Sequence, residues 1–202
     1  MSIVITQPCI LVVEGRDEEN FFSALLDHLG IRDIQVLGIG GKTNLTMNLK
    51  ALVHAPKFSG VVRVGIVRDA DHDPEAARQS VGDSLRKAGL PVPPAVRQAS
   101  DGTPVVAVLI VPDVGPGALE DICLSSVTAD PAIPCLTAFF DCLEPLQCPP
   151  SHVGKAKVQA FLASRPSVGK RLGEAAQTGY WPWDAEAFAV VREFLGIVTL
   201  PA

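Results

Sequence analysis

Short apolar runs alternate with amphipathic stretches through roughly the first 115 residues of the chain. The apolar runs predict strands at residues 9–13, 34–37, 61–67 and 104–111. The amphipathic stretches predict helices at residues 18–29, 43–54 and 74–88. A strand–helix–strand rhythm is typical of a parallel sheet with helices on its faces, so the sequence predicts an α/β, Rossmann-like fold.

Two further features complete the expected architecture. The Asp101-Gly102 pair is a strong hairpin signal, which predicts an added antiparallel strand at residues 96–99. Beyond Gly117 the pattern is mainly helical, with helices expected at residues 118–127, 135–143, 153–164 and 185–194. We therefore expect a mostly parallel sheet within a domain at residues 1–127 and a helical C-terminal extension, residues 128–202, packed on it. Trp181 and Trp183 are expected to anchor the last helix to the core.

Charge and hydropathy narrow the class of protein. The formal net charge of −5 argues against a basic protein that coats nucleic acid, although a local basic groove remains compatible with it. No apolar run approaches the ~18 residues of a membrane span. The first eight residues lack the basic and apolar regions of a signal peptide, so we expect a cytoplasmic protein without membrane contact.

Acidic residues stand at the ends of two predicted strands. Glu14 and Glu18 follow the first strand, and Asp69 and Asp71 follow the third. Ligand sites in open α/β sheets lie beyond the carboxyl ends of the strands. Asp69 and Asp71 are two residues apart, so an extended segment would point both side chains the same way. These hard oxygen ligands would suit Mg²⁺ or Mn²⁺.

A simpler interpretation of such acids is that they stabilise helix N-termini, where each contributes ~0.3–1 kcal/mol. We prefer that account for three acids in predicted first turns, Asp17, Glu19 and Glu75. It explains Glu14, Asp69 and Asp71 less well, because all three stand at strand ends rather than on open helical faces. Metal binding is the better hypothesis for the strand-end acids.

The segment from Val12 to Glu18, the glycine turn after the second strand and the Asp69-Ala70-Asp71 motif together resemble a Toprim domain. This is the catalytic fold shared by topoisomerases, bacterial primases, recombination-repair proteins and nucleases of the overcoming-lysogenization-defect (OLD) type. The resemblance extends over about residues 9–125. It is closest to small stand-alone Toprim-like proteins and to OLD-type nucleases.

The resemblance implies roles for individual acids. Glu14 corresponds to the Toprim glutamate, a general acid/base or a metal ligand, and Asp69 and Asp71 to its Mg²⁺-binding pair. Glu18 matches a second acid of the OLD-type nucleases. Glu120 lies in a Gly-x-Leu-Glu segment of the same branch, although an ordinary first-turn helix acid describes it equally well.

A glycine turn and two lysines complete the predicted site. Gly40, Gly41 and Lys42 form a glycine turn before a helix, where free N–H groups could bind a phosphate. Val36 stands where a full P-loop requires glycine. The alternative interpretation is a tight turn in which Lys42 is simply exposed. By resemblance to OLD-type nucleases, Lys155 is the candidate that would stabilise charge at the scissile phosphate.

The sequence therefore predicts Mg²⁺- or Mn²⁺-dependent phosphodiester chemistry on nucleic acid, with DNA favoured over RNA and nuclease activity favoured over other reactions. One alternative is a catalytically weak, metal-dependent binding module for nucleic acid or nucleotide in a defence or repair system. In either case the protein could act as a homodimer or in a larger protein complex. A second alternative is a nucleotide-hydrolysing switch at the glycine turn. The single tyrosine, Tyr180, lies outside the Toprim-like segment, which argues against a topoisomerase.

Overall fold

A single parallel sheet organises the molecule. The computed structural model describes residues 3–147 and 150–200. The strands are β1 (Cys9–Val13), β2 (Ile34–Gly38), β3 (Arg63–Asp69) and β4 (Val105–Val111). They lie in the order β2-β1-β3-β4, and every neighbouring pair is parallel. All four strands therefore end at the same edge of the sheet, which confirms the predicted α/β fold.

Helices follow each strand and continue through the C-terminal part of the chain. They are α1 (Arg16–Leu29), α2 (Leu45–Val53), α3 (Pro74–Ala88), α4 (Leu119–Ser126), α5 (Ile133–Leu143), α6 (Val153–Ala163), α7 (Leu172–Gln177) and α8 (Ala189–Val198). The strand β1 and the helix α3 have the predicted bounds. The last helix begins four residues later than predicted because residues 186–188 form a separate 3₁₀ turn. Within the described ranges, no helix is long and apolar enough to cross a bilayer.

Strand side chains alternate between two hydrophobic layers, as the pleat of a sheet requires. Leu11 and Val13 pack in the layer that contains α1, α4, α6, α7 and α8. Ile10 and Val12 pack in the layer that contains α2 and α3. Because both faces are covered, the interiors of the strands are mostly apolar rather than alternating, which explains why they are nearly continuous apolar runs in the sequence.

The C-terminal helices are held against the sheet by close and aromatic contacts. A Cβ atom at Gly65 of β3 would lie 2.6 Å from Cγ2 of Val198, so α8 packs on bare backbone there. Trp181 stacks on Phe161 and donates a hydrogen bond to a backbone carbonyl, 3.1 Å away. Trp183 packs edge to face on an α1 ring. Both tryptophans are buried in the core, and Trp183 also packs on Phe188 in the turn that leads into the last helix.

The short helix α7, which the sequence pattern did not predict, packs on the start of α1. The Gly173 N–H donates to Oδ1 of Asp17 at 2.7 Å. A Cβ at Gly173 would lie 2.2 Å from the Asp17 carbonyl oxygen, so only glycine permits this approach. Asp17 is therefore more than a first-turn acid, because it also accepts a hydrogen bond from another helix.

The predicted antiparallel strand at residues 96–99 is not formed. Arg97 has a φ of +57°, which interrupts the extended backbone that a strand needs. The segment nevertheless runs beside β4, because the N–H groups of Arg97 and Ser100 donate to Val108 and Val106, each at 2.8 Å. It covers the edge of the sheet as an irregular segment held by these two hydrogen bonds.

Candidate metal centre at the carboxyl edge of the sheet

The topology brings the predicted acids together. Glu14 directly follows β1, Glu18 lies in the first turn of α1, and Asp69 ends β3. Glu120 lies in the first turn of α4. Since β1 and β3 are parallel neighbours, their ends adjoin, and the Asp69 N–H donates to Oε1 of Glu14 at 3.2 Å. The carboxylates thus meet at one edge, as the sequence predicted.

Asp71 reaches this edge by a different geometry from the one expected. Its φ of +53° interrupts the extended backbone that would keep Asp69 and Asp71 on the same side. Its N–H and carbonyl each form a 2.8 Å hydrogen bond with Gly117, which joins the loop after β3 to the turn before α4. Gly117 has a φ of +147°, and a Cβ there would lie 2.7 Å from Oδ2 of Asp121. Glycine is therefore required at this junction.

Arg68, a residue that the sequence analysis did not select, pairs with two of the acids. Its side chain is only 9% exposed, and its guanidinium binds Glu14 and, at 3.0 Å, Oδ2 of Asp71. Lys42 Nζ binds the same Asp71 oxygen at 2.9 Å. Burial alone would raise the pKa of Asp71, but the hydrogen bonds from Lys42 and Arg68 lower it below its usual value. We call Glu14, Asp71, Arg68 and Lys42 the paired half of the edge.

The other acids of the edge have fewer positively charged partners. We call Glu18, Asp69, Glu120 and Lys155 the open half. Lys155 Nζ lies 3.7 Å from Oε1 of Glu120. Asp69 Oδ1 accepts a 3.1 Å hydrogen bond from the N–H of Leu119, at the start of α4. Asp69, Glu120 and Lys155 line a cavity of about 320 Å³, which Asp71 of the paired half also lines.

Electrostatics distinguish the open half clearly. Burial, followed by the charges of Glu14 and Glu120, raises the pKa of Asp69 to about 8. Burial and neighbouring carboxylates likewise raise the pKa of Glu18. Burial lowers the pKa of Lys155, but the acids around it, Glu120 first, raise that pKa overall. When they are ionised, the three acids of the open half therefore carry more negative charge than Lys155 balances, and the raised pKa values reflect this together with burial.

The donor set fits a hard divalent cation in its chemistry, because every ligand is a carboxylate oxygen and the excess charge is negative. Within residues 3–147 and 150–200, however, no three Asp, Glu, His or Cys side chains are gathered closely enough to hold an ion as they stand. Mutual repulsion keeps such carboxylates apart. An ion would have to draw the side chains of Glu18, Asp69 and Glu120 inward.

The glycine turn lies beside the acids, but two of its donors, the Gly41 N–H and Lys42 Nζ, are already engaged. Gly40 and Gly41 have φ values of +68° and +104°, so the turn depends on glycine. The Gly41 N–H donates to the Glu14 carbonyl at 2.7 Å, and Lys42 is bound to Asp71. Phosphate binding by Gly40, Gly41 and Lys42 stays a prediction, since a phosphate would have to compete with these contacts.

The family is shown by sequence. Residues 8–198 match the model of a family described as a protein of unknown function, DUF3226. The chain belongs to the DUF3226 family. This description names neither a Toprim domain nor an activity. No curated protein matches the DUF3226 chain.

Two solved structures resemble the DUF3226 chain in fold. A hypothetical protein from Pyrococcus horikoshii OT3 has a TM-score of 0.66 at 16% identity, covering 96% of this chain and 95% of that one. The C-terminal region of the Burkholderia pseudomallei OLD protein has a TM-score of 0.51 at 16% identity, covering 96% and 98%. Both likenesses extend beyond the Toprim-like residues 9–125. The second supports the resemblance to OLD proteins at the level of fold.

Proposed function

We propose that this protein hydrolyses phosphodiester bonds in nucleic acid, DNA before RNA, with Mg²⁺ or Mn²⁺ held at the open half of the acidic edge. The observation that carries the proposal is the convergence of acids from separate parts of the chain around Asp69, where their negative charge exceeds the nearby positive charge. A Toprim-like site requires acids at these strand ends. The fold shared with the OLD C-terminal region is consistent with the same chemistry.

The residues of the open half would hold the ion. Asp69, Glu18 and Glu120 provide hard oxygen donors, and Asp69 is oriented by the Leu119 N–H. When bound, a divalent ion supplies Lewis-acid polarisation of a phosphoryl group and lowers the pKa of water. The negative charge of these three neighbouring carboxylates favours the binding of such a cation.

Two other residues would act on substrate directly. Lys155, on the first turn of α6, lies at the cavity beside Glu120 and would offset the negative charge that develops on phosphate during displacement. Glu14 is fixed by the Arg68 guanidinium and by the Asp69 N–H. A carboxylate held in one orientation suits a general acid or base, the role that the Toprim resemblance implies for Glu14.

Nicking of supercoiled plasmid and degradation of single-stranded DNA, each with Mg²⁺ or Mn²⁺, test this proposal. We expect cleavage by the wild type, and a loss of about 100-fold or more in Asp69→Ala because a central ion ligand is removed. Asp83→Ala is the matched control, since Asp83 is an exposed acid on α3 paired with Arg86. Cleavage that survives Asp69→Ala, or that Asp83→Ala loses equally, would contradict the assignment.

A second candidate function is metal-dependent binding of nucleic acid or nucleotide without turnover. It is favoured by the contacts of Arg68 and Lys42, which already engage two predicted Mg²⁺ ligands, Glu14 and Asp71. Fluorescence anisotropy of a labelled oligonucleotide distinguishes the two functions. Retention that requires Mg²⁺ and leaves the oligonucleotide intact supports binding alone, whereas strand cleavage supports the nuclease.

A further inference from the structure

The balance of charge differs between the two halves of the acidic edge. In the paired half, the carboxylates of Glu14 and Asp71 face two cations, Arg68 and Lys42, so the charges cancel. In the open half, three carboxylates face one cation, Lys155, within the part of the chain that the structure describes. When these acids are ionised, the excess equals the charge of one divalent ion. The eight named residues of the two halves then carry a net charge of −2, which a single divalent ion would neutralise.

Arg68 is fixed where it stands. Its side chain is more than nine-tenths buried, and one guanidinium nitrogen contacts Glu14 while the other contacts Asp71. A guanidinium stays protonated at all accessible pH values, so this charge cannot be removed by titration. A divalent ion that bound between Glu14 and Asp71 would either meet the guanidinium at close range or have to displace it from both buried partners.

Many phosphodiester-cleaving sites hold two divalent ions about 3.5–4 Å apart that share acidic ligands. Here, two of the acidic ligands available for a second ion are already bridged by the Arg68 side chain. We infer that Arg68 takes the place of the second divalent ion, so that the protein binds one ion per chain, in the open half. This inference rests on the proposed function of the same edge, and it makes Arg68 a positioning residue for Glu14 and Asp71.

The number of bound Mn²⁺ ions tests the inference without measuring activity. Isothermal titration calorimetry and electron paramagnetic resonance are recorded for the wild type, Arg68→Met and Arg63→Met. Arg63 is a matched control, because it lies on the same strand and its guanidinium donates to the Ile197 carbonyl at 2.7 Å, outside the acidic edge. We expect one Mn²⁺ per chain in the wild type and in Arg63→Met. We expect two in Arg68→Met, with the spin-coupled signal of neighbouring ions.

The wild-type measurement decides even where Arg68→Met does not fold. Two coupled ions in the wild type would overturn the inference, and so would the absence of any bound ion. Arg68→Lys is the conservative variant and should still bind one ion, since an ammonium group keeps a positive charge beside Glu14 and Asp71. A single ion in a well-folded Arg68→Met would also overturn the inference.

The outcome can be separated from that of the proposed function. A wild type that binds one Mn²⁺ and cleaves no nucleic acid supports the role of Arg68 and contradicts the nuclease proposal. A wild type that binds two Mn²⁺ and cleaves DNA supports the nuclease and overturns the role of Arg68.

Discussion

The paired and open halves of the acidic edge are built from adjacent residues of β3 and yet differ in how their charge is balanced. Arg68 and Asp69 are consecutive, so the pleat turns their side chains to opposite sides of the strand. Arg68 meets Glu14 on one side, and Asp69 meets the start of α4 on the other. The positive φ of Asp71 then places its carboxylate with Arg68 rather than with Asp69.

Two aspartates two residues apart therefore experience opposite environments. The pKa of Asp71 is below its usual value because Lys42 and Arg68 donate to it and outweigh the effect of burial. The pKa of Asp69 is raised to about 8 by burial and by the carboxylates around it. An aspartate is therefore an ion-pair partner of two cations in the paired half, whereas in the open half it accepts one backbone hydrogen bond and faces other carboxylates. This difference locates the expected ion more narrowly than the spacing of the acids does.

After Asp69→Ala, the largest effect is expected from removing the cation of the open half. Lys155→Met should lower the rate of DNA cleavage by about 100-fold, because one charge that would stabilise the transition state is lost. Lys157→Met is the matched control on the same helix, since Lys157 lies 5.7 Å from the ring centroid of Phe140 and outside the open half. Single-turnover cleavage rates at saturating Mn²⁺ measure the difference. Equal losses in both variants would contradict the catalytic assignment of Lys155.

A smaller effect is expected when Asp69 is made neutral, and it is a gain in stability rather than a loss of activity. The pKa of Asp69 is about 8 in the folded protein and about 3.9 when unfolded, so the folded state binds more protons between these pH values. Its contribution makes the free energy of unfolding fall as pH rises from about 4 to about 8. Asp69→Asn removes the charge and keeps an oxygen for the Leu119 N–H. It should stabilise the metal-free protein near pH 8 by about 1–3 kcal/mol.

Urea denaturation in EDTA between pH 5 and pH 8 would measure this stabilisation, with Asp83→Asn as an exposed control. The wild type should lose more stability across the range than Asp69→Asn does. If the free energies of unfolding of the wild type and Asp69→Asn change equally with pH, the pKa of Asp69 is not raised in the folded protein.

Much of the fold follows from local signals in the sequence. Helix α3 was predicted at its full length because Asp73 caps it, accepting hydrogen bonds from the N–H groups of Glu75 and Ala76 at 2.9 and 3.0 Å. Pro74 occupies its first position, where the missing N–H costs nothing. The meeting of Glu14 and Asp69 was predicted because parallel strands end at a common edge. These features depend on neighbours in the chain or on a general rule of sheet topology.

The features that were missed depend on tertiary contacts. Helix α7 has only six residues, and its position relies on the approach of Gly173 to Asp17, more than 150 residues away in the sequence. Arg97 adopts a left-handed conformation that its residue type does not favour. Arg68 offered one signal, since a charged residue inside an apolar strand needs a buried partner. The sequence did not show that its partners are two of the predicted metal ligands.

The smallest effect is expected from Lys42, the exposed member of the paired half. Its side chain is 53% exposed, and Asp71 keeps Arg68 as a partner when Lys42 is removed. Lys42→Met should therefore change the free energy of unfolding in EDTA by less than about 1 kcal/mol, as for other exposed ion pairs. The number of bound Mn²⁺ ions should also stay the same. If Lys42→Met allowed a second ion to bind, the exposed lysine rather than the buried arginine would be what excludes it, because Arg68 would still bridge Glu14 and Asp71.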